Sequence, residues 1–200
     1  MKRKNHVVID RKKERKLHTV YCVLGRTSSG KSTIVRQAAE KLNMKVLKSY
    51  TTRERRANET DDNADHTFIN ALDVEKYKPD MVAYTDRVGY CNFATKNQLL
   101  ESDFYIINPF GFLQLKEILN KLDIDIQLVS IFITTPYRTL IERAKKRGDF
   151  ESWKENYIKE SEEFYQFEKS NLIDYRILND GDIDDSVEKM VRIINKHKSK

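Results

Sequence analysis

Short apolar runs alternate with amphipathic stretches along most of the chain. Runs rich in β-branched and aromatic residues are typical of strands, and the strands of a buried parallel sheet are apolar on both faces. Such runs occur at 18–24, 45–50, 104–107, 127–134 and 175–178. This pattern predicts five strands.

Between these runs, apolar positions recur every three or four residues, as expected for amphipathic helices. Helices are predicted over 31–42, 95–101, 112–122, 136–147, 151–169 and 184–196. The helix over 136–147 follows Thr135-Pro136, a pair that predicts an N-cap and a first helical residue, and it is expected to stop at Gly148. The many aromatic residues of 151–169 are interpreted as a core-facing stripe on an acidic helix.

Strands that alternate with helices of this length indicate βαβ units and a mainly parallel sheet, so the predicted fold class is α/β. Two stretches, about 50–100 and 140–170, interrupt this alternation. They are expected to form insertions over one edge of the sheet. The 200 residues are enough for one domain with insertions.

The net charge of +6 is concentrated at the N-terminus. Residues 1–17 carry eight basic and two acidic side chains, which accounts for the whole excess, so the remainder is neutral. A domain that binds nucleic acid through a basic face is therefore not expected. At most, weak binding of nucleic acid through the basic tail is predicted.

Other features of the composition exclude several classes of protein. The apolar runs are too short to span a membrane, and Val7-Val8-Ile9 is too short for the core of a signal peptide. Cys22 and Cys91 provide neither a disulfide framework nor the spacing of metal ligands. A cytoplasmic location is expected.

The motif that is most informative about chemical function lies between the first predicted strand and the first predicted helix. It reads Gly25-Arg26-Thr27-Ser28-Ser29-Gly30-Lys31-Ser32, which is the G-x-x-x-x-G-K-[ST] pattern of a phosphate-binding loop. Its glycines allow successive N–H groups to point at one phosphate, and the positive end of the helix adds to that field. Lys31 is expected to bind the β- and γ-phosphates of ATP, and the Ser32 hydroxyl to bind Mg²⁺.

A second motif follows the second predicted strand, where Ser49-Tyr50-Thr51-Thr52-Arg53 leads to Arg56. This S-x-T-T-R-x-x-R segment resembles the part of guanylate kinases that holds the phosphate of the acceptor nucleotide. Further resemblances to that family follow in the same order at 59–68, 89–95, 105–111, 131–148 and 174–180. Together they extend from about residue 20 to about residue 196.

The resemblance implies a three-layer α/β/α domain over 18–200 that follows a tail over 1–17. It implies an acceptor-binding insertion near 50–95 and a lid near 140–170. The reaction would move the γ-phosphoryl group of ATP, with Mg²⁺, to a nucleoside monophosphate, with GMP or dGMP as first candidates.

The resemblance also implies roles for single residues. Arg53 and Arg56 would bind the acceptor phosphate, because guanidinium groups bind phosphate bidentately, and Ser49 would lie near the acceptor base. On the ATP side, the expected residues are the phosphate loop, the lid arginines Arg143 and Arg147, and Asn179 and Asp180 at the adenine ring.

The chain departs from the family pattern where guanine is recognised. Ala83 falls where the family has a glutamate, and Asp86 is considered as a substitute after a register shift. The strand-end aspartates are replaced as well, one of them by Asn108. Asn108 is therefore expected either to face the acceptor base or only to end the strand.

The tyrosines that bind the acceptor phosphate in the family are also altered. His66 falls at the first tyrosine, and either Tyr90 or Phe93 falls at the second because the stretch is one residue longer. A histidine beside a phosphate dianion is chemically reasonable, although a lone histidine is more often structural.

Several alternatives remain open from the sequence. Arg143 and Arg147 could be an ordinary charged helix face, and Asn179-Asp180-Gly181 an ordinary turn. The scaffold could phosphorylate another deoxynucleotide, another nucleotide or a phosphorylated sugar. It could also be a non-catalytic binding module, or a nucleic-acid end kinase that uses the tail.

Overall fold

The computed structural model describes residues 17–55, 59–62, 64–87, 89–122 and 124–199. The first 16 residues of the predicted basic tail, and Arg56 of the predicted acceptor site, lie outside this part of the chain. The strands are β1 (His18–Leu24), β2 (Ser49–Thr51), β3 (His66–Phe68), β4 (Met81–Arg87), β5 (Tyr90–Thr95), β6 (Phe104–Ile106), β7 (Ile126–Thr134) and β8 (Tyr175–Leu178). The helices are α1 (Lys31–Leu42), α2 (Lys96–Leu100), α3 (Pro109–Lys121), α4 (Tyr137–Arg147), α5 (Phe150–Lys169) and α6 (Ile183–Lys198), and a 3₁₀ segment covers Ala71–Asp80.

The central sheet is parallel and has the strand order β6-β1-β7-β8. β1 and β7 pair along their whole shared length, from His18 opposite Ile126 to Leu24 opposite Phe132. Both strands are mostly apolar, as expected for a sheet that is covered on both faces. The α/β class with a parallel central sheet is confirmed.

Alternate residues of β1 enter two different hydrophobic clusters. Val20, Cys22 and Leu24 pack with α3 and α5 on one face of the sheet. Tyr21 and Val23 pack with α1 and α6 on the other face. This period of two produces a three-layer arrangement, with the carboxyl ends of β1 and β7 at one edge of the sheet.

A second, mixed sheet has the order β3-β2-β5-β4 and is built from residues 49–95. β2 and β3 are parallel, whereas β5 pairs antiparallel with both β2 and β4. The rings of Tyr50, Tyr77 and Phe93 pack on one another with centroids 4.5–5.5 Å apart. The stretch that interrupts the βαβ alternation thus forms a small sheet of its own.

The prediction of one strand over 45–50 is wrong. Val46 forms only an isolated bridge to Phe104 at the edge of the central sheet, and Ser49 then begins β2 of the second sheet. Met44 and Leu47 are buried before this change of sheet and Ser49 and Thr51 after it, so buried positions continue across it. Periodicity alone does not reveal which sheet a short run joins.

Two helix starts also differ from the predictions. α3 begins at Pro109, three residues early, because the Asn108 side chain accepts a hydrogen bond from Gly111 N and caps the helix. The N-cap of α4 is Pro136 and not Thr135, whose hydroxyl donates to the carbonyl oxygen of Ser29 at 3.3 Å. The stop at Gly148, at φ +81°, is confirmed.

α4 and α5 pack against each other over a small separate cluster of Leu140, Ala144 and Trp153. Over the described residues, no helix combines the length and the apolar character that crossing a membrane requires.

Candidate active site

The phosphate loop occupies residues 25–32, between the carboxyl end of β1 and the start of α1. Gly30 has a φ of +87°, and a Cβ there would lie 2.5 Å from Nδ2 of Asn179. A Cβ at Gly25 would lie 2.7 Å from the carbonyl oxygen of Ile133. Only glycine permits both the left-handed backbone and the close approach of its neighbours.

The side chain of Lys31 folds back over the phosphate loop. Its Nζ donates to the carbonyl oxygens of Gly25, at 2.6 Å, and Arg26, at 2.9 Å. Burial lowers the pKa of Lys31 to about 8, although the carboxylates of Glu160 and Asp65 act in the opposite direction. The amine is therefore a buried charge held where phosphates would bind, with two carboxylates close enough to influence it.

Ser32 and Arg36 both hydrogen-bond to one carboxylate from the second sheet. Ser32 Oγ donates to Oδ2 of Asp65 at 2.6 Å, and Nη2 of Arg36 donates to Oδ1 at 2.6 Å. A hydroxyl and a carboxylate in contact are the hard oxygen ligands that Mg²⁺ prefers. No described group of three or more histidine, cysteine, aspartate or glutamate residues could hold a metal ion. These residues fit Mg²⁺ that takes its remaining ligands from phosphate and water.

Both predicted lid arginines reach the phosphate loop. Nη1 of Arg143 donates to the carbonyl oxygen of Ser29 at 3.3 Å. Nη2 of Arg147 donates to Oγ of Ser28 at 3.1 Å and also pairs with Asp149. The structure thus brings both guanidinium groups to the loop, which an ordinary charged helix face would not do.

Trp153, the single tryptophan, ties α5 to the same loop. Its indole Nε1 donates to the carbonyl oxygen of Thr27 at 3.2 Å, and the ring is 1% exposed. Trp153, Phe164 and Phe167 of α5 therefore face inward, as the sequence predicts, whereas Tyr165 is exposed. Trp153 is the one that touches the phosphate loop.

Arg26 points away from the phosphate position and toward α5. Its Nε donates to Glu168 at 3.2 Å, and its guanidinium lies over the rings of Tyr157 (4.9 Å) and Phe164 (5.2 Å). The side chain of this predicted ATP-binding residue thus connects the loop to α5, and only its backbone belongs to the phosphate cradle.

The side chain of Asn179 holds the phosphate loop through a hydrogen bond. It is fully buried, its Nδ2 donates to the carbonyl oxygen of Ser29 at 2.7 Å, and its Oδ1 accepts from Ser186 at 3.3 Å. The neighbouring Asp180 accepts from Thr139 Oγ1 at 2.7 Å. These contacts give both residues a structural partner, and the adenine role stays a prediction.

A cavity of about 190 Å³ opens beside the phosphate loop. It is lined by the loop, the second sheet, the segment after β6 and α5: Gly25, Thr27, Lys31, Ser49, Asp65, His66, Ala83, Thr85, Asn92, Tyr105, Ile106, Ile107, Asn108, Gly111, Glu160 and Phe164. A neighbouring cavity shares five of these residues and adds Arg53, Glu59, Tyr90 and Asn156. Some residues predicted for the donor (Gly25, Thr27 and Lys31) and most of those predicted for the acceptor (Ser49, Arg53, His66, Tyr90 and Asn108) therefore border one space made of two adjoining cavities.

Arg53 lies at the end of this space that Glu59 also lines. Its Nη2 donates to Oε1 of Glu59 at 2.9 Å, with both side chains about four-fifths buried. The guanidinium also lies 5.4 Å from the ring of Phe68. Nη1 of Arg53 donates to the carbonyl oxygen of Glu54 at 2.7 Å, and the side chain lines the cavity that Tyr90 also lines.

His66 lies between the two cavities and lines both. Its Nδ1 is 2.9 Å from Oγ of Ser49, the residue expected near the acceptor base. Burial lowers the pKa of His66, and Arg53 lowers it further, whereas Asp65 raises it. A buried imidazole in contact with Ser49 can donate a hydrogen bond to an acceptor phosphate.

Asp86 does not line this space. Side chains alternate along β4, so Ala83 and Thr85 face the main cavity while Tyr84 and Asp86 face a different one behind the sheet. The structure thus places Asp86 apart from Ser49, His66 and Asn108, which line the main cavity. Tyr90 borders both the cavity behind the sheet and the Arg53 end of the main space.

Some lining residues were not predicted from the sequence. Asp65 and Glu160 supply carboxylates near Lys31, and Asn92 lies beside Thr85 in the middle of the second sheet. Asp65 falls inside the 59–68 resemblance, but nothing in the sequence indicates that it contacts Ser32. The sequence also does not indicate that Glu160, in a highly charged helix, turns toward the loop.

Comparison with solved structures shows a match over nearly the whole chain. A crystal structure of guanylate kinase from Anaplasma phagocytophilum matches with a TM-score of 0.65 at 19% sequence identity, covering 92% of this chain and 88% of that one. The fold is that of guanylate kinase. The resemblance inferred from the motifs is confirmed at the level of the fold.

No protein-family model matches this sequence, and no curated protein matches it either. The guanylate-kinase fold therefore supplies a scaffold here, and the chemistry has to be argued from the site itself.

Proposed function

We propose that this protein is an ATP-dependent nucleoside monophosphate kinase. The observation that carries the proposal is the shared cavity, in which Lys31 and Thr27 of the phosphate loop face Ser49 and His66 of the second sheet. A donor phosphate on the loop and an acceptor phosphate near His66 would meet inside this one cavity. Phosphoryl transfer depends mainly on such positioning and on cations around the phosphates.

On the donor side, the loop N–H groups and Lys31 bind the β- and γ-phosphates. Phosphate oxygens are stronger acceptors than the carbonyls of Gly25 and Arg26, so the Lys31 amine turns toward them. Arg143 and Arg147 already touch the loop and stabilise the charge of the transferring group. Ser32 and Asp65 would hold Mg²⁺, which neutralises phosphate charge when bound.

On the acceptor side, Arg53 and His66 bind the phosphate and keep its oxygen directed at the donor. Arg56 is proposed to complete the clamp, and Tyr90 to border it. Asn179 holds the loop in shape, and Asp180 is the candidate for contact with adenine.

α4 and α5 are proposed to act as the lid and residues 50–95 as the acceptor-binding insertion. Glu160 from α5 lines the cavity near Lys31, so the lid already bounds the reaction space. Closure there excludes water, which is the competing nucleophile. A cytoplasmic location, where ATP and nucleoside monophosphates occur together, belongs to this proposal.

The decisive experiment measures ADP release from ATP and Mg²⁺ with each of a panel of nucleoside and deoxynucleoside monophosphates. Stimulation of ADP release by at least one acceptor, and its loss in Lys31→Ala, is the expected result. ATP binding with no acceptor-stimulated release would instead support a non-catalytic binding module.

A further inference from the structure

The end of the main cavity that we call distal lies where β4 meets the start of α3. We define this distal end by Ala83, Thr85, Asn108 and Gly111, which the packing of α3 against β4 brings together. The two carboxylates that line the cavity, Asp65 and Glu160, both act on Lys31 and so belong to the phosphate end. None of the described residues at the distal end carries a carboxylate.

Asn92 supplies a buried acceptor between the distal end and the Arg53 end, because it lines both cavities. It pairs with Thr85 across β4 and β5, so the two side chains project from the same face of the sheet into the cavity. Oδ1 of Asn92 is buried and has no hydrogen-bond partner among the described residues. A buried carbonyl oxygen without a partner costs free energy until an N–H group reaches it.

Asn108 faces the cavity as a donor. Its Oδ1 already accepts the hydrogen bond from Gly111 N at 2.8 Å, which leaves its NH₂ group to meet a ligand. The hydroxyl of Thr85 can also donate. The distal end and the adjoining Asn92 therefore offer one acceptor without a partner among the described residues and two donors.

Each nucleobase presents a different ratio of N–H groups to acceptors. Guanine has three N–H bonds on its pairing edge and needs several acceptors, which carboxylates supply best. Uracil and thymine have one ring N–H between two carbonyl oxygens. One acceptor flanked by donors complements that second pattern.

We propose that the acceptor is a nucleoside monophosphate carrying uracil or thymine, with the ring N–H donated to Oδ1 of Asn92 and a carbonyl oxygen bound by Asn108. This inference rests on the proposed kinase function and specifies its substrate class. It departs from GMP and dGMP, the first candidates that the sequence resemblance implies.

The test compares wild type with Asn92→Asp, which keeps the shape of the side chain but replaces the amide by a carboxylate. Equilibrium binding of UMP, dTMP, CMP, AMP and GMP is measured by calorimetry in the presence of an ATP analogue, and ADP release is measured in parallel. Asn97→Asp is the matched control, because it makes the same change on an exposed position of α2 outside the cavities.

In wild type we expect UMP or dTMP to bind about tenfold or more tightly than GMP, because a polar site discriminates strongly against a base that it leaves unpaired. Asn92→Asp should weaken UMP and dTMP about tenfold by repelling their carbonyl oxygens and should strengthen GMP relative to them. Asn97→Asp should leave the order of the bases unchanged.

The other outcomes would overturn the assignment of the base, the proposed kinase function, or both. Preference of wild type for a base other than uracil or thymine, or an unchanged order in Asn92→Asp, overturns the assignment of the base and leaves the kinase intact. Tight binding of dTMP or UMP without phosphoryl transfer overturns the kinase and leaves the assignment standing. Binding of no monophosphate at all overturns both.

Discussion

Ser32 Oγ and Asp65 Oδ2 lie 2.6 Å apart, in a hydrogen bond that joins the phosphate loop to the second sheet. The two residues are 33 positions apart in the chain. Their contact places a carboxylate beside the hydroxyl expected to bind Mg²⁺. It also links the sheet that would bind the acceptor to the loop that would bind the donor.

Removing the charge of Asp65 should weaken binding of the metal. Asp65→Asn keeps the size of the side chain, and we expect the apparent affinity for Mg²⁺ in the presence of ATP to fall by about tenfold, because a supporting carboxylate is lost. Titration of Mg²⁺ at fixed ATP, followed by the fluorescence of Trp153, measures this directly. Asp61→Asn is the control, since Asp61 is 86% exposed and pairs with Arg55. Equal Mg²⁺ affinity in both variants would exclude the role of Asp65.

The pKa of Lys31 predicts a dependence of ATP binding on pH. Because burial lowers that pKa to about 8, the amine loses its charge as the pH rises through that value. The dissociation constant for ATP should therefore increase from about pH 7 to about pH 9. In Lys31→Met the constant should be higher throughout and should lose this part of the pH dependence, whereas Lys41→Met, on the exposed side of α1, should behave as wild type.

The same group affects stability with a defined sign. The unfolded chain keeps the Lys31 proton up to the usual 10.5, whereas the folded chain releases it near 8. Between these values the unfolded state binds more protons, so the contribution of Lys31 to the free energy of unfolding rises with pH. Urea unfolding at several pH values, with Lys31→Met as reference, measures this contribution. A contribution that falls with pH would contradict the assignment.

Arg143 should matter for turnover more than for folding. In Arg143→Met we expect kcat for ADP release to fall by about 10²-fold or more, because a cation on the transferring phosphoryl group is lost. Lys146→Met removes the same charge from an exposed position of α4 and should change kcat by less than about threefold. Similar kcat values for the two variants would show that Arg143 stabilises the phosphate loop without contributing to phosphoryl transfer.

Trp153 should couple α5 to the phosphate loop. Trp153→Phe removes the hydrogen bond to the Thr27 carbonyl, which is part-buried, and leaves that oxygen without its donor. We expect the midpoint of thermal unfolding to fall by about 2–4 °C, which corresponds to about 1 kcal/mol for a chain of this size. ATP binding, measured by calorimetry, should weaken as well. Unchanged values of both quantities would show that α5 and the phosphate loop are not energetically coupled.

Much of the central fold could be predicted from the sequence. β1, α1 and β8 have the predicted bounds, because each is a long or well-delimited pattern whose burial is set by immediate neighbours. The change of sheet at 45–51 could not be predicted, since both sheets bury the same kind of residue. Likewise, Asn108 was recognisable as a polar strand end, but its role as the cap of α3 depends on how the following turn packs.

The sequence by itself determined the phosphate loop, the order of the strands and helices around the central sheet, and the likeness to guanylate kinase, whereas β3, β4 and β5 of the second sheet were not predicted. These features depend on local spacing and on the period of apolar positions, and both can be recognised in the sequence without knowledge of long-range contacts. Only the tertiary structure decided that Asp65 meets Ser32, that Arg143 reaches Ser29 and that Asn92 presents a buried oxygen beside Thr85. Those contacts join residues far apart in the chain, and they form only where two sheets and the α4–α5 pair pack around one cavity.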